Sequence, residues 1–169
     1  MLDKKIIMML NDQVNYEMYS AYIYHKMKLA FEDMGLRGYA RWYDIQTREE
    51  IQHAERIENF LMDSGEKVCL KSIEEPVEIM DDVEKMLKQA LKHEKSVTCK
   101  IHAIYKETIE RKDIVSMEFL NWFISEQVEE EKNARDNIQL YHNYIGCSCG
   151  LMNADKKMSQ REEIVPIER

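Results

Sequence analysis

Gln46-Thr47-Arg48-Glu49-Glu50-Ile51-Gln52-His53-Ala54-Glu55-Arg56-Ile57 breaks the pattern of an otherwise ordinary amphipathic helix. Trp42, Ile45, Ile57, Phe60 and Leu61 recur at three- and four-residue spacing and mark an inward stripe. Glu50 and His53 fall on that same stripe, because residues three or four apart share one face of a helix. Three other segments repeat the anomaly. Glu17 lies between Val14 and Ala21, Glu94 between Ala90 and Val97, and Gln127 with Glu130 between Phe123 and Ala134. Each group sits near the middle of its segment, so four helices turn polar residues inward at a common depth.

The segments themselves are long. The first runs from about Asp3 to Met34, with Leu10, Val14, Met18, Ala21, Tyr24 and Lys28 along one stripe. Gly35 and Gly38 close it and open the second, which extends to about Ser64 with Gly65 as its C′ residue. The third begins near Asp81-Asp82 and carries Val83, Leu87, Ala90, Val97, Ile101 and Ile104. The fourth begins near Asp113 and carries Leu120, Phe123, Ala134, Ile138 and Tyr141 before Gly146. Between the second and third, Gly65 to Met80 contains Pro76 and no helical period. That stretch reaches roughly 50 Å at about 3.3 Å per residue, whereas a helix of about 27 residues is roughly 40 Å long. It therefore crosses the length of a bundle and sets the second and third helices parallel.

A shift of 77 residues places Glu17 on Glu94, Glu49 on Glu126, Glu50 on Gln127 and His53 on Glu130. Two helical hairpins with the same polar spacing follow. The expectation is an all-α four-helix bundle with a long crossover between helices two and three and a short fifth C-terminal helix. It forms a single domain over 1–169, with the bundle over about 3–145 and the last helix over about 151–163.

Composition excludes several function classes. With 24 basic and 32 acidic residues the formal charge is −8, which repels nucleic acid and anionic membranes and attracts cations. The apolar run Ile6 to Leu10 is too short for a signal peptide or a membrane span, so a cytoplasmic chain with neither nucleic-acid nor membrane partners is expected. Cys69, Cys99, Cys147 and Cys149 fit free thiols in a reducing compartment. Cys147-Ser148-Cys149 lacks the second cysteine pair that a rubredoxin or zinc-ribbon site requires.

Burying an uncompensated carboxylate costs several kcal/mol, against a total stability of about 5–15 kcal/mol for a domain. Glu17, Glu50, Glu94 and Glu130 supply four negative charges, which two divalent cations balance. Carboxylates with one imidazole suit iron(II) or manganese(II). One glutamate on each of two helices and Glu-x-x-His on the others is the known pattern of di-iron carboxylate bundles. Here Glu50-x-x-His53 matches it and Gln127-x-x-Glu130 replaces the second copy. From spacing alone, Glu49, Glu126 and Glu129 form either a looser third metal position or an exposed acidic rim. Tyr24, two turns from Glu17, is either a donor near the metals or a core tyrosine.

Asn15-Tyr16-Glu17-Met18-Tyr19-Ser20 with Tyr24, Glu49-Glu50-Ile51-Gln52-His53-Ala54, His93-Glu94, and Phe119 through Glu131 together carry a family likeness. Over Met1 to about Arg161 the chain closely resembles the non-haem bacterial and archaeal ferritins, within the ferritin-like di-iron family. The resemblance implies an iron-storage ferroxidase that oxidises Fe(II) with O2 or H2O2 and deposits ferric mineral in a cage of twenty-four identical subunits. It implies one iron held by Glu17, Glu50 and His53, and a second by Glu50, Glu94 and Glu130, with Glu50 bridging. It also implies a third iron at Glu49, Glu126, Glu129 and Glu130, and places Tyr24 and Gln127 beside the pair. Bacterioferritins carry a haem-ligating methionine directly after the second-helix glutamate; Ile51 stands there, so no haem is expected. Two rival readings are a di-iron peroxidase or oxidase without storage, and a structural bundle whose inward acids bind no metal.

Overall fold

The computed structural model describes residues 2–78 and 81–162. Its helices are α1 (Lys4–Asp33), α2 (Arg37–Asp63), α3 (Val83–Arg111), α4 (Ile114–Tyr144) and α5 (Gly150–Met158). Aspartates start three of them: Asp3, Asp82 and Asp113 accept hydrogen bonds from the amides of Lys5, Lys85 and Ser116. A short carboxylate at this position satisfies amides that have no partner within the helix. At the end of α2, Gly65 adopts φ +79° while its amide donates to Met62 O and that of Glu66 to Leu61 O, the closure expected of a C′ glycine. The α3–α4 turn, which contains neither glycine nor proline, is made by Lys112 at φ 57° followed at once by the Asp113 cap.

The helices pack as two antiparallel hairpins, α1 with α2 and α3 with α4. Arg111 at the end of α3 pairs with Asp3 at the start of α1, and Phe60 late in α2 stacks on Phe119 early in α4. Helices α2 and α3 therefore run parallel, as the length of the connection requires. Residues 66–78 lie along α1. Asn11 and Asn15 accept from the amides of Cys69 and Lys71 and donate to the carbonyls of Lys67 and Cys69. Farther on, Lys26 Nζ donates to the carbonyls of Pro76 and Val77. Ile79 and Met80, at the end of the expected crossover, lie outside the described residues.

Apolar packing divides into two blocks. One joins the C-terminal half of α1 (Tyr24, Met27, Phe31) to the N-terminal ends of α2 and α3 and to Ala154 and Met158 of α5. The other joins the N-terminal half of α1 (Ile6, Leu10, Val14) to Ile57 and Leu61, Ile101 and Ile104, and Leu120 and Phe123. Lys28 and Met18, expected on the inward stripe, are half-buried, and Met27 and Phe31 occupy the core beyond Tyr24. At 3.6 residues per turn the inward position moves from a four-residue to a three-residue step there. Trp42, Phe60, Ile138 and Tyr141 are likewise partly buried, packing on the margins of the two blocks.

Helix α5 ends at Met158, short of the expected boundary near 163, and residue 163 lies outside the described residues. The chain turns at Ser159 and Gln160, and the Arg161 side chain reaches back to α2. At the other end of this contact, a β-carbon on Gly38 would lie 1.8 Å from Asp155 O, so only glycine permits α5 to approach so closely. That approach lets Asp155 Oδ1 accept from the Tyr39 amide at 2.9 Å, serving a helix start that Leu36 leaves without a side-chain cap.

Candidate metal centre

Between the two apolar blocks the bundle interior is polar. Glu17, Glu49, Glu50, His53, Glu94, Gln127 and Glu130 are all buried, as are Gln13, Gln46 and Asn137. The cause is local: Glu17 sits between Val14 and Ala21, Glu94 between Ala90 and Val97, and Gln127 with Glu130 between Phe123 and Ala134, so these helices cannot expose the polar residues without exposing core.

Glu17, Glu50 and His53 come together, each offering a ligand atom within 4.8 Å of the others. His53 also forms a second group of the same span with Glu126 and Glu130. The ring stands between these sets, with Nδ1 3.6 Å from Glu50 Oε2 and Nε2 3.7 Å from Glu126 Oε1. Glu94 belongs to neither group. It accepts a close hydrogen bond from the Tyr24 hydroxyl, and Gln127 Nε2 lies 3.3 Å from its Oε2 and its backbone oxygen. Tyr24 and Gln127 thus both hydrogen-bond to Glu94. Of the residues flanking the stripe, Glu126 is half-buried beside His53, Glu129 is exposed, and Glu49 is buried against Arg161.

Three contributors were not foreseen. Gln13 Nε2 donates to Glu17 at 2.8 Å, and Gln46 Nε2 donates to both Glu50 and Glu130 at 3.0 Å. Their signal was a repeated Gln-x-x-x-Glu, Gln13 before Glu17 and Gln46 before Glu50, a spacing that stacks the amide over the acid on one face. Arg161, the third, gave no signal, because its contact spans more than a hundred residues of sequence.

Burial, then the neighbouring Glu50 charge, pushes the Glu17 and Glu94 carboxyls each up to about 8. Burial and the charges of Glu94 and Glu50 hold Glu130 well above its ordinary value. Burial alone would raise Glu50, but hydrogen bonding and charge from His53, with help from Gln46, bring it below the usual range. Burial alone would lower His53; hydrogen bonds to Glu126 and Glu50 and the charges of Glu50 and Glu17 outweigh it and hold the ring well above its usual value. Tyr24 is raised by burial and by Glu94 and Glu50, so it stays a neutral donor. Burial and mutual repulsion thus favour protons on Glu17 and Glu94, with Glu50 the ionised partner of His53.

Divalent cations fit the same donors. Glu17 Oε2 is buried with no hydrogen-bond partner, an acceptor left open beside Glu50 and His53. Carboxylate oxygens with one imidazole nitrogen form a donor set for iron, manganese or zinc. No helix is long and apolar enough to cross a membrane among the described residues.

The family model for the ferritin-like domain matches residues 7–142. A bacterial non-heme ferritin of Staphylococcus haemolyticus is 34% identical over 152 residues, covering 90% of this chain and 91% of that protein. A probable bacterial non-heme ferritin-like protein of Haemophilus influenzae is 33% identical over 132 residues, covering 78% and 80%. Among solved structures, an engineered closed form of the Archaeoglobus fulgidus ferritin superposes with a TM-score of 0.93 at 33% identity, covering 97% of this chain and all of that one. The open-pore ferritin of the same archaeon gives 0.92 at 33% identity, covering 96% and 100%.

Proposed function

The chain belongs to the ferritin family, with the non-haem ferritins of bacteria and archaea, and from that premise we propose that it is a ferroxidase that oxidises Fe(II) and stores the ferric product. The observation that carries the proposal is the buried triad of Glu17, Glu50 and His53, with its unpartnered carboxylate oxygen. Iron is the substrate. Glu17, Glu50 and His53 receive one Fe(II). Glu50, Glu94 and Glu130 receive the second, with Glu50 shared. Glu126 and Glu130 continue toward a third position beside Glu129, to which Glu49 would contribute only where Arg161 releases it.

Two Fe(II) ions give up one electron each; the pair reduces O2, with two protons, to hydrogen peroxide, or reduces peroxide to water. The carboxylates favour the products, because four negative charges stabilise Fe(III) more than Fe(II). Gln46 ties Glu50 to Glu130 before iron arrives, whereas Glu94, held by Tyr24 and Gln127, would turn from Tyr24 toward Glu50 as the second iron binds. The imidazole leaves its protonated state as iron replaces the proton.

Storage needs an enclosure, and a homo-oligomeric cage of twenty-four subunits provides one. Large apolar residues left open on the isolated chain, among them Leu70, Ile114, Val115 and Met152, support subunit burial. The test is an anaerobic Fe(II) titration of metal-free protein combined with particle sizing, followed by admission of O2. The expected result is at least two Fe(II) per chain, oxidation on mixing, and a particle of twenty-four subunits. Absence of stoichiometric uptake would identify a structural bundle, and oxidation by a monomer or dimer would identify a di-iron oxidase without storage.

A further inference from the structure

Arg161 is placed on the metal layer by contacts on every side. Its Nη2 lies against Glu49 Oε2, Nη1 donates to Gln46 Oε1 at 2.9 Å and to Trp42 O at 3.2 Å, and the guanidinium carbon stands 4.2 Å over the Trp42 ring. Side-chain exposure is 10% for Arg161 and 3% for Glu49, so this is a desolvated pair. The other Glu49 oxygen is buried without a partner. Glu49 is thus an anion of the metal layer whose compensating charge comes from the protein itself.

Gln46 extends the contact. Its oxygen accepts from Arg161 while its nitrogen donates to Glu50 and Glu130, so the guanidinium fixes which way the amide faces. A metal ion at Glu49 would meet a fixed positive charge already bonded to the same carboxylate, at short range and out of bulk water. The two cations compete for one ligand, and by linkage each weakens the other's hold on it.

We infer that Arg161 is a positioning residue that occupies Glu49 in place of a metal ion, so that its guanidinium and a cation beyond the iron pair exclude one another. This rests on the paired site described above, and its test reads the two separately. Redox-inert Zn(II) is titrated calorimetrically into the metal-free assembled protein, into Arg161→Gln and Arg161→Lys, and into Arg161→Gln with Glu49→Gln. In Arg161→Gln the ion next after the pair should bind about 5–150-fold more tightly than in the parent. Arg161→Lys, which keeps the charge, should stay within about threefold of the parent, and adding Glu49→Gln should abolish the gain. A gain below about threefold in Arg161→Gln, or one that survives loss of the Glu49 charge, overturns the inference. The first two ions in the parent test the paired site on their own, since their number does not enter the comparison between variants.

Discussion

Loading the metal-free site with two divalent cations should expel about four protons per chain near pH 6. The number follows from the protonation of five buried groups. Glu17 and Glu94, pushed up to about 8, and Glu130, held higher than its ordinary value by burial and by Glu94 and Glu50, are protonated there. His53 is protonated as well, and Glu50 is ionised beside it. The cluster is then neutral: one imidazolium, one carboxylate and three carboxylic acids. With two cations bound it is neutral again, now with four carboxylates and a neutral ring, so two ions exchange for four protons. The apparent affinity for the pair therefore rises with pH, at a slope of about four in log K per pH unit near pH 6. Toward higher pH Glu17 and Glu94, pushed up to about 8, ionise in advance, and the release should fall. Calorimetry of anaerobic Zn(II) binding in two buffers of different ionisation enthalpy counts these protons directly. Release of one proton or fewer near pH 6, or a count that does not change with pH, would refute the proton-balanced site.

The same raised carboxyls make the metal-free fold weaken with rising pH. The folded chain keeps protons on Glu17 and Glu94 that the unfolded chain sheds above the ordinary glutamate range, so stability is lost between about pH 4.5 and about pH 8, whereas zinc-loaded protein should lack this slope. Thermal melts with chelator and with Zn(II) check it, and a chelated protein that gains stability over that window would contradict it. Glu50→Ala should slow the initial stopped-flow oxidation of Fe(II) by about 10–100-fold or more, because Glu50 touches both His53 and the Gln46 bridge, while exposed Glu129→Ala should change it far less. Equal rates in the two variants would remove Glu50 from its shared role. Gly38→Ala should destabilise by about 1–3 kcal/mol, since the new β-carbon would overlap Asp155 O. At about 2–4 °C per kcal/mol this is readable by calorimetry, and an unchanged melting temperature would show that α5 is free to give way.

Much of this was legible in the sequence because helix faces are periodic. Val14, Ala21, Ala90, Val97, Phe123 and Ala134 reveal by position alone that the acids among them point inward, and the long stretch containing Pro76 reveals the crossover by its reach. What stayed hidden depends on contacts between distant parts of the chain. Nothing near Gly38 announces that Asp155 will cap α2, and nothing near Arg161 announces Glu49. The second triad is a further case. The family likeness groups Glu94 with Glu50 and Glu130, while in the structure Glu94 bonds to Tyr24 and His53 stands beside Glu126. Side-chain torsions decide that difference, and periodicity does not encode them. Gln13 and Gln46 lay in plain sight, but a glutamine on a charged helix carries no message until the acid above it is known to be buried.

Helical rods customarily loosen from their tips, where amides and carbonyls run out of partners. The division of this interior into two greasy ends and a polar waist reverses that order of yielding. Both extremities are cemented by packed hydrocarbon, whereas the girdle of acids between them relies on protons or ions that the solution can withdraw. Stripped of metal in alkaline solution, the subunit therefore has its weakest zone at mid-span, and deuterium should enter the backbone there sooner than at comparably buried turns nearer either end.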